Sequence, residues 1–107
     1  MKYNWIFNNE SFQCAKSLDG LTNVVETIHW KYEATDDTTS GIIVGCNGFA
    51  APTEEDFIPF EELTKAEIIS WLEEANDMDY LKSAAEHEYN QIKNSKNQEV
   101  LPPPFQI

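Results

Sequence analysis

The stretch TNVVETIHWKYEAT, residues 22 to 35, decides the fold because its side chains alternate along the chain. Val24, Ile28, Trp30 and Tyr32 share one side, and the residues between them are mostly polar. Alternation of apolar and polar side chains indicates a β-strand with one buried face. β-Branched and aromatic residues are common on such a surface. The stretch therefore predicts a half-buried antiparallel strand.

Two further strands are predicted around this one. YNWIF, residues 3 to 7, alternates aromatic and other side chains, and a loop through Gly20 leads from it to the middle strand. After the turn DDTTSG comes GIIVGCNGFAA, residues 41 to 51. Gly45 and Gly48 indicate a bulge or a close backbone approach in this third strand. The three strands together form a predicted meander.

A helix follows in PFEELTKAEIISWLEEA, residues 59 to 75. Thr64 is a good N-cap, and Glu67 is placed to reach back to the Thr64 N–H and complete a capping box. Leu63 and Ile68 are spaced to pack as a hydrophobic staple. The spacing predicts one apolar stripe facing a core, made of Ile68, Trp71, Leu72 and Ala75.

A second helix begins near Asn76 or Asp77, and its apolar residues recur at helical spacing. Strands followed by helices indicate the α+β class. We predict a three-stranded antiparallel β-meander followed by two α-helices packed on the sheet, forming one domain over residues 1–96. The residues predicted to face inward from the second helix are Met78, Leu81, Ala84, Ala85, Tyr89 and Ile92.

Residues 97–107 form an extended proline-rich apolar C-terminal tail in this prediction. Three successive prolines cannot continue a helix or donate to a strand ladder, so they favour polyproline II. Such a tail folds back over its own domain, docks into a neighbour, or is a disordered remnant. In the second case, the contact residues are Leu101, Pro103, Phe105 and Ile107.

The charge is strongly acidic, with a formal value of −12 over 107 residues. Residues 54 to 88 hold twelve Asp or Glu against Lys65 and Lys82. This field disfavours direct binding to nucleic acid or to an anionic membrane. The sequence has no apolar run of the ~20 residues that span a bilayer, and its first residues lack a signal-peptide pattern, so we expect synthesis in the cytosol.

Residues suited to metal binding or catalysis are scattered. Cys14 and Cys46 are expected to be free thiols, and with His29 and His87 they lack the close spacing of a metal site. His29 is interpreted as a surface or cross-strand residue. No nucleophile with a neighbouring base is recognisable, so we predict no catalytic residue, no metal and no cofactor, and a protein that is not an enzyme.

Several segments carry a resemblance to a known group. YNWIF, SLDGLTNVVETIHWKYEATD, FIPFEELTKAEIISWLEEA and the proline-aromatic ending together resemble a family of small uncharacterised proteins of tailed bacteriophages, especially marine and cyanophage-like ones. In similar proteins the third strand is commonly tyrosine-rich, whereas here it is GIIVGCNGF, and NSKNQEVLPPP replaces the usual Asn-Pro-Pro run. The resemblance implies a phage origin and a non-enzymatic accessory or virion role, with no activity assigned to any residue.

Two functions remain open. The first is a small structural or interaction module of the virion or its assembly, which binds another phage structural protein or a copy of itself. The alternative is an acidic host-directed inhibitor that occupies a basic surface on a host nucleic-acid-processing enzyme. Either function places the protein in the host cytoplasm during infection, and the first also places it in the virion.

Overall fold

The computed structural model describes residues 1–18, 20–53, 55–95 and 101–105. It shows an antiparallel sheet with two helices on one face, which confirms the predicted α+β class. The elements are β1 (Lys2–Ile6), β2 (Phe12–Leu18), β3 (Leu21–Thr35), β4 (Ser40–Gly48), a short 3-10 turn (Phe60–Glu62), α1 (Lys65–Ala75) and α2 (Met78–Ser95). The predicted domain boundary between residues 96 and 97 lies outside the described residues.

β3 is the central strand of the sheet. β4 pairs along one of its edges, and β1 and β2 follow one another along the other edge. The sheet thus has one strand more than the predicted meander, because the segment expected to be a loop contains β2, Phe12–Leu18. The sequence did not predict this strand, because its side chains are all partly or fully exposed and show no alternation of buried and exposed residues.

A bulge interrupts the pairing of β2 with β3. The register shifts between Gln13 and Cys14, and Glu26 of β3 is left without an opposite residue. An extra residue changes which side chains share a face on the two sides of the bulge. Val25 therefore packs against the main core cluster, whereas Val24, predicted to share the face of the core residues, is buried outside that cluster.

The core lies between the sheet and the two helices, and aromatic rings fill its centre. The Trp5 ring meets Trp30 edge-on with centroids 5.1 Å apart, and meets Tyr32 at 4.8 Å. Edge-to-face pairs of this kind add to the stability given by burial alone. The helices close the core with Ile68, Leu72, Leu81 and Ala85.

Two glycines in β4 allow the close packing. A Cβ on Gly41 would lie 2.0 Å from the backbone nitrogen of Tyr89, so α2 rests directly on the strand at this point. A Cβ on Gly45 would lie 2.6 Å from the Trp30 ring, which covers the strand there. A close approach of a neighbouring backbone was predicted at Gly45 and Gly48. At Gly45 the approach comes from a side-chain ring instead, and a Cβ on Gly48 would have only an ordinary 3.7 Å contact with the Glu26 carbonyl oxygen. No bulge accompanies either glycine, since the β3–β4 register is continuous.

α2 runs antiparallel to β4 and continues past the sheet. Near its start, the Asn76 amide donates to Asn47 Oδ1 at 2.9 Å, and Tyr89, towards its end, lies against Gly41. Ile92 comes after that contact and is 41% exposed. The prediction that Ile92 faces inward was wrong, because the sheet ends before the helix does.

α1 begins as predicted, at Thr64. The Thr64 hydroxyl accepts from the Glu67 N–H at 3.2 Å, but the Glu67 carboxylate meets the Thr64 hydroxyl at 3.3 Å rather than the predicted backbone N–H. The predicted stripe is buried only in part. Ile68 and Leu72 are in the core, whereas Trp71 is half-buried and Ala75 is exposed, so the end of α1 leaves apolar surface uncovered. The prediction of a buried Ala75 was therefore wrong.

Candidate functional site

The described part of the C-terminal tail, residues 101–105, is exposed to solvent. It contains neither helix nor strand. Leu101 is 72% exposed and Phe105 is 67% exposed, and Pro103 between them is also exposed. Ile107, the fourth predicted contact residue, lies outside the described residues. The three described contact residues are thus accessible and share one short segment.

An apolar pocket, which the sequence did not predict, lies at the end of the sheet where β3 begins and β4 ends. Its volume is about 390 Å³, and it opens between the start of β3, the segment after β4 and the end of α1. Phe49, Phe57 and Trp71 supply its aromatic surface, and Val24 and Pro52 also line it. This cavity, called the Trp71 pocket below, is within the size range of small-molecule and side-chain pockets.

The bulge in β3 helps to build the Trp71 pocket. The Phe49 N–H donates to the carbonyl oxygen of Glu26, the bulged residue, at 2.9 Å. This bond fixes the chain where it leaves β4 and places the Phe49 ring 6.0 Å from the Trp71 ring. Asn23, on the pocket wall, has a positive φ of 52°, a conformation that asparagine tolerates better than most residues. One wall therefore depends on local backbone irregularities.

A turn before α1 supplies the opposite wall. The Thr53 hydroxyl donates to Asp56 Oδ2 at 2.9 Å, and the Asp56 N–H donates to the Thr53 carbonyl at 3.1 Å. Phe57 follows this turn and lines the pocket. The acidic residues Asp56 and Glu74 belong to the lining as well, and both are exposed. The pocket is thus an apolar hollow with acidic groups at its rim.

The acidic side chains described between residues 55 and 88 form no ion pair within 4.0 Å. In the described part of the chain, the ion pair found within 4.0 Å joins Lys2 and Asp37, both outside residues 54 to 88. The acidic side chains of that segment are mostly exposed to solvent. The exposed ones are Glu55, Asp56, Glu61, Glu62, Glu73, Glu74, Asp77, Asp79 and Glu88.

The cysteines and histidines are dispersed over the fold. Cys14 is half-buried on β2, and this burial, with the nearby Glu26 carboxylate, raises the pKa of its thiol. Cys46 is exposed on β4 opposite His29, which is exposed as predicted. Across the described ranges, no group of three or more His, Cys, Asp or Glu side chains is arranged to hold a metal ion.

A polar cluster at the β3–β4 turn ties the sheet to α2. The carboxylate of Asp36 accepts the Tyr89 hydroxyl and the N–H groups of Thr38 and Thr39. The Tyr89 hydrogen bond, followed by the Thr39 and Thr38 contacts, lowers the pKa of Asp36 well below its usual value. All these bonds are internal to the fold, so the cluster is structural.

The architecture and its pocket define a small α+β domain in which two helices cover one face of an antiparallel sheet. The chain belongs to the family described as Domain of unknown function (DUF7936), which it matches over residues 1–102. The match includes all four strands, both helices and Leu101, and it ends before Pro103. No curated protein and no solved structure matches the chain. Among the described residues, neither helix has the length and apolar character needed to cross a bilayer.

Proposed function

We propose that the chain is a non-enzymatic interaction module of a tailed bacteriophage, acting in the virion or in its assembly. It binds another phage structural protein, or a copy of itself, through Leu101, Pro103, Phe105 and Ile107. The observation that carries this proposal is the exposure of two large apolar side chains, 72% for Leu101 and 67% for Phe105, in one proline-rich segment. The phage origin is supported by the resemblance of the sequence segments described above.

Docking of the tail gains free energy from apolar burial and loses conformational entropy. Burial of a leucine or phenylalanine side chain stabilises by about 1.5–3 kcal/mol, so two of them offer a useful contact to a partner. Prolines hold the backbone extended and thereby reduce the conformational entropy lost when the segment is immobilised. An extended apolar segment with these properties is a common form of recognition element.

Removal of residues 100–107 tests the proposal. We expect the melting temperature to stay within a few degrees, since the described tail residues are exposed, and we expect association or particle incorporation to be lost. A sharper comparison is Leu101→Ser against Val44→Ser, because both side chains are 72% exposed but Val44 lies on β4. A truncated chain that unfolds, together with an intact chain that stays monomeric, contradicts the proposal.

A second function is favoured by the carboxylates described between residues 55 and 88, which form no ion pair within 4.0 Å. In that reading, the protein is a host-directed inhibitor whose acidic face occupies a basic surface of a nucleic-acid-processing enzyme. Binding of this kind weakens steeply as salt rises, because screening acts on exposed charges. Replacement of Glu73 and Glu74 by glutamine should then lower affinity for the purified enzyme, and an interaction insensitive to both salt and these changes contradicts this function.

A further inference from the structure

We propose that the tail of one copy of this chain docks in the Trp71 pocket of a second copy. The inference rests on the proposed function of the tail and names its partner. The tail presents Leu101, three prolines and Phe105, all exposed, and the pocket is an open apolar hollow of about 390 Å³. The molecule thus carries both an apolar extended segment and an uncovered apolar receptor for it.

The chemistry of the two surfaces is matched. Proline-rich extended segments are recognised by grooves lined with aromatic rings, against which the flat proline rings pack. The Trp71 pocket offers Phe49, Phe57 and Trp71, with the first and last of these rings 6.0 Å apart. Trp71 is half-buried, so part of its ring remains available to a docking segment.

The length of the chain disfavours docking of the tail in the pocket of its own molecule. Ser95 and Phe105 are ten residues apart in sequence, a segment that spans at most about 33–36 Å when fully extended. The distance from Ser95 to the Trp71 pocket is of the same size. From Gly41 to the pocket residue Phe49, the sheet extends about 26 Å. Tyr89 of α2 lies against Gly41, and from there to Ser95 the helix runs about 9 Å further from the pocket.

The prolines make this limit stricter. Polyproline II advances only about 3.1 Å per residue, so a chain that contains it falls short of full extension. The chain is elongated, since the radius of gyration is 19.7 Å, against about 13 Å for a compact chain of this length. The tail of a second copy is not subject to this limit.

Charge gives the contact a distinctive salt dependence. Each copy carries a formal charge of −12, so two copies repel one another at low ionic strength. Added salt screens this repulsion and leaves apolar docking intact or strengthened. Association through the tail and pocket should therefore increase with salt, which is opposite to the behaviour of the acidic inhibitor.

The test uses two full-length variants with complementary defects. Leu101→Ser with Phe105→Ser removes the apolar tail contacts and keeps the pocket, whereas Ala75→Trp fills the pocket and keeps the tail. Ala66→Trp is the matched control, because Ala66 is also exposed on α1 but does not line the Trp71 pocket. Ala50→Trp is a second way to block the pocket if Ala75→Trp lowers the melting temperature.

Solution masses from light scattering give the result. We expect wild type and Ala66→Trp to associate, each defective variant to be a 12.3 kDa monomer, and their equimolar mixture to recover a heterodimer through one intact tail and one intact pocket. A mixture that stays monomeric while the wild type associates overturns the pocket assignment and leaves the tail's role standing. A wild type that never self-associates also overturns it, whereas unfolding of the tail variant contradicts the proposed function itself.

Discussion

At the scale of single residues, Gly41 sets how closely α2 approaches the sheet. Its missing side chain lets the helix backbone at Ala85 and Tyr89 rest on β4. The Trp30 ring likewise leaves no room for a side chain at Gly45. Its indole N–H donates to Asn47 Oδ1 at 2.7 Å. The fold therefore depends on particular small residues in β4 as well as on its apolar ones.

Gly41→Ala is expected to destabilise the protein by at least about 1–3 kcal/mol, because the added methyl group would displace helix backbone rather than a flexible side chain. Gly48→Ala is the matched control in the same strand, since its Cβ would meet Glu26 O at an ordinary 3.7 Å. Urea unfolding measures both free energies. Equal effects of the two changes would show that α2 does not lie so close to β4.

Thr64→Ala is expected to cost about 0.5–2 kcal/mol, because the Glu67 N–H loses the hydroxyl that caps α1. Thr64→Ser keeps a hydroxyl at the same place and should retain most of the stability. Denaturant melts of the two variants decide the matter, and a serine variant as unstable as the alanine one would count against the capping bond.

Asp36 is expected to make stability depend on pH in the acid range. Its pKa is lowered in the folded state by the Tyr89 hydroxyl and by backbone N–H groups, so its ionised form favours folding. The advantage of wild type over Asp36→Asn should be full above the unfolded pKa of about 3.9 and shrink as pH falls below it. Unfolding curves at several pH values measure the difference in free energy of unfolding between the two proteins. A difference that stays constant down to acid pH contradicts a lowered pKa of Asp36 in the folded state.

At the scale of the elements, α1 and α2 each have a part that faces the core and a part that does not. Leu72 is fully buried, whereas its neighbour Trp71 turns towards the pocket, and α2 passes from the buried Tyr89 to the exposed Ile92. The change in α1 reflects the rotation of about 100° between successive helix residues, which points Leu72 and Trp71 in different directions. The change in α2 occurs past the contact of Tyr89 with Gly41, where the helix continues beyond the sheet. The uncovered turns are the places where the molecule can offer surface to a partner.

Leu72→Ala is expected to destabilise the domain by about 2–5 kcal/mol, and Trp71→Ala by less despite the larger side chain, because Trp71 is only half-buried. The same contrast should hold in α2, where Leu81→Ala is costly and Ile92→Ala is nearly neutral. Chemical unfolding compares the four variants. A Trp71→Ala cost as large as that of Leu72→Ala would place Trp71 in the closed core.

Much of this element structure could be predicted from sequence. The alternation of β3 and the cap of α1 are local signals, and both predicted their elements correctly. β2 and the Trp71 pocket could not be found in this way. The first lacks a buried face, and the second joins Val24, Phe57 and Trp71, which are distant in sequence and meet only through the Glu26 bulge and the turn at Asp56.

At the scale of the whole molecule, the Trp71 pocket and the end of α2 that leads to the tail lie at opposite ends of the sheet. α2 carries the chain away from the pocket, and the described tail residues remain exposed. A contact between a segment at one end and a receptor at the other is well suited to joining copies head to tail. This arrangement supports the proposed docking of the tail between two copies rather than within one.

The most direct measurement is an NMR titration of the full-length Leu101→Ser, Phe105→Ser variant with a peptide of residues 99–107. The variant keeps its own pocket but lacks a competing tail, and a peptide with Leu101 and Phe105 replaced by serine is the control. We predict saturable shifts of the Trp71 indole N–H and of the Phe49 and Phe57 amides, which line the pocket. No saturable shift, or shifts centred on the exposed Val44 of β4 instead, would contradict docking of the tail in the Trp71 pocket.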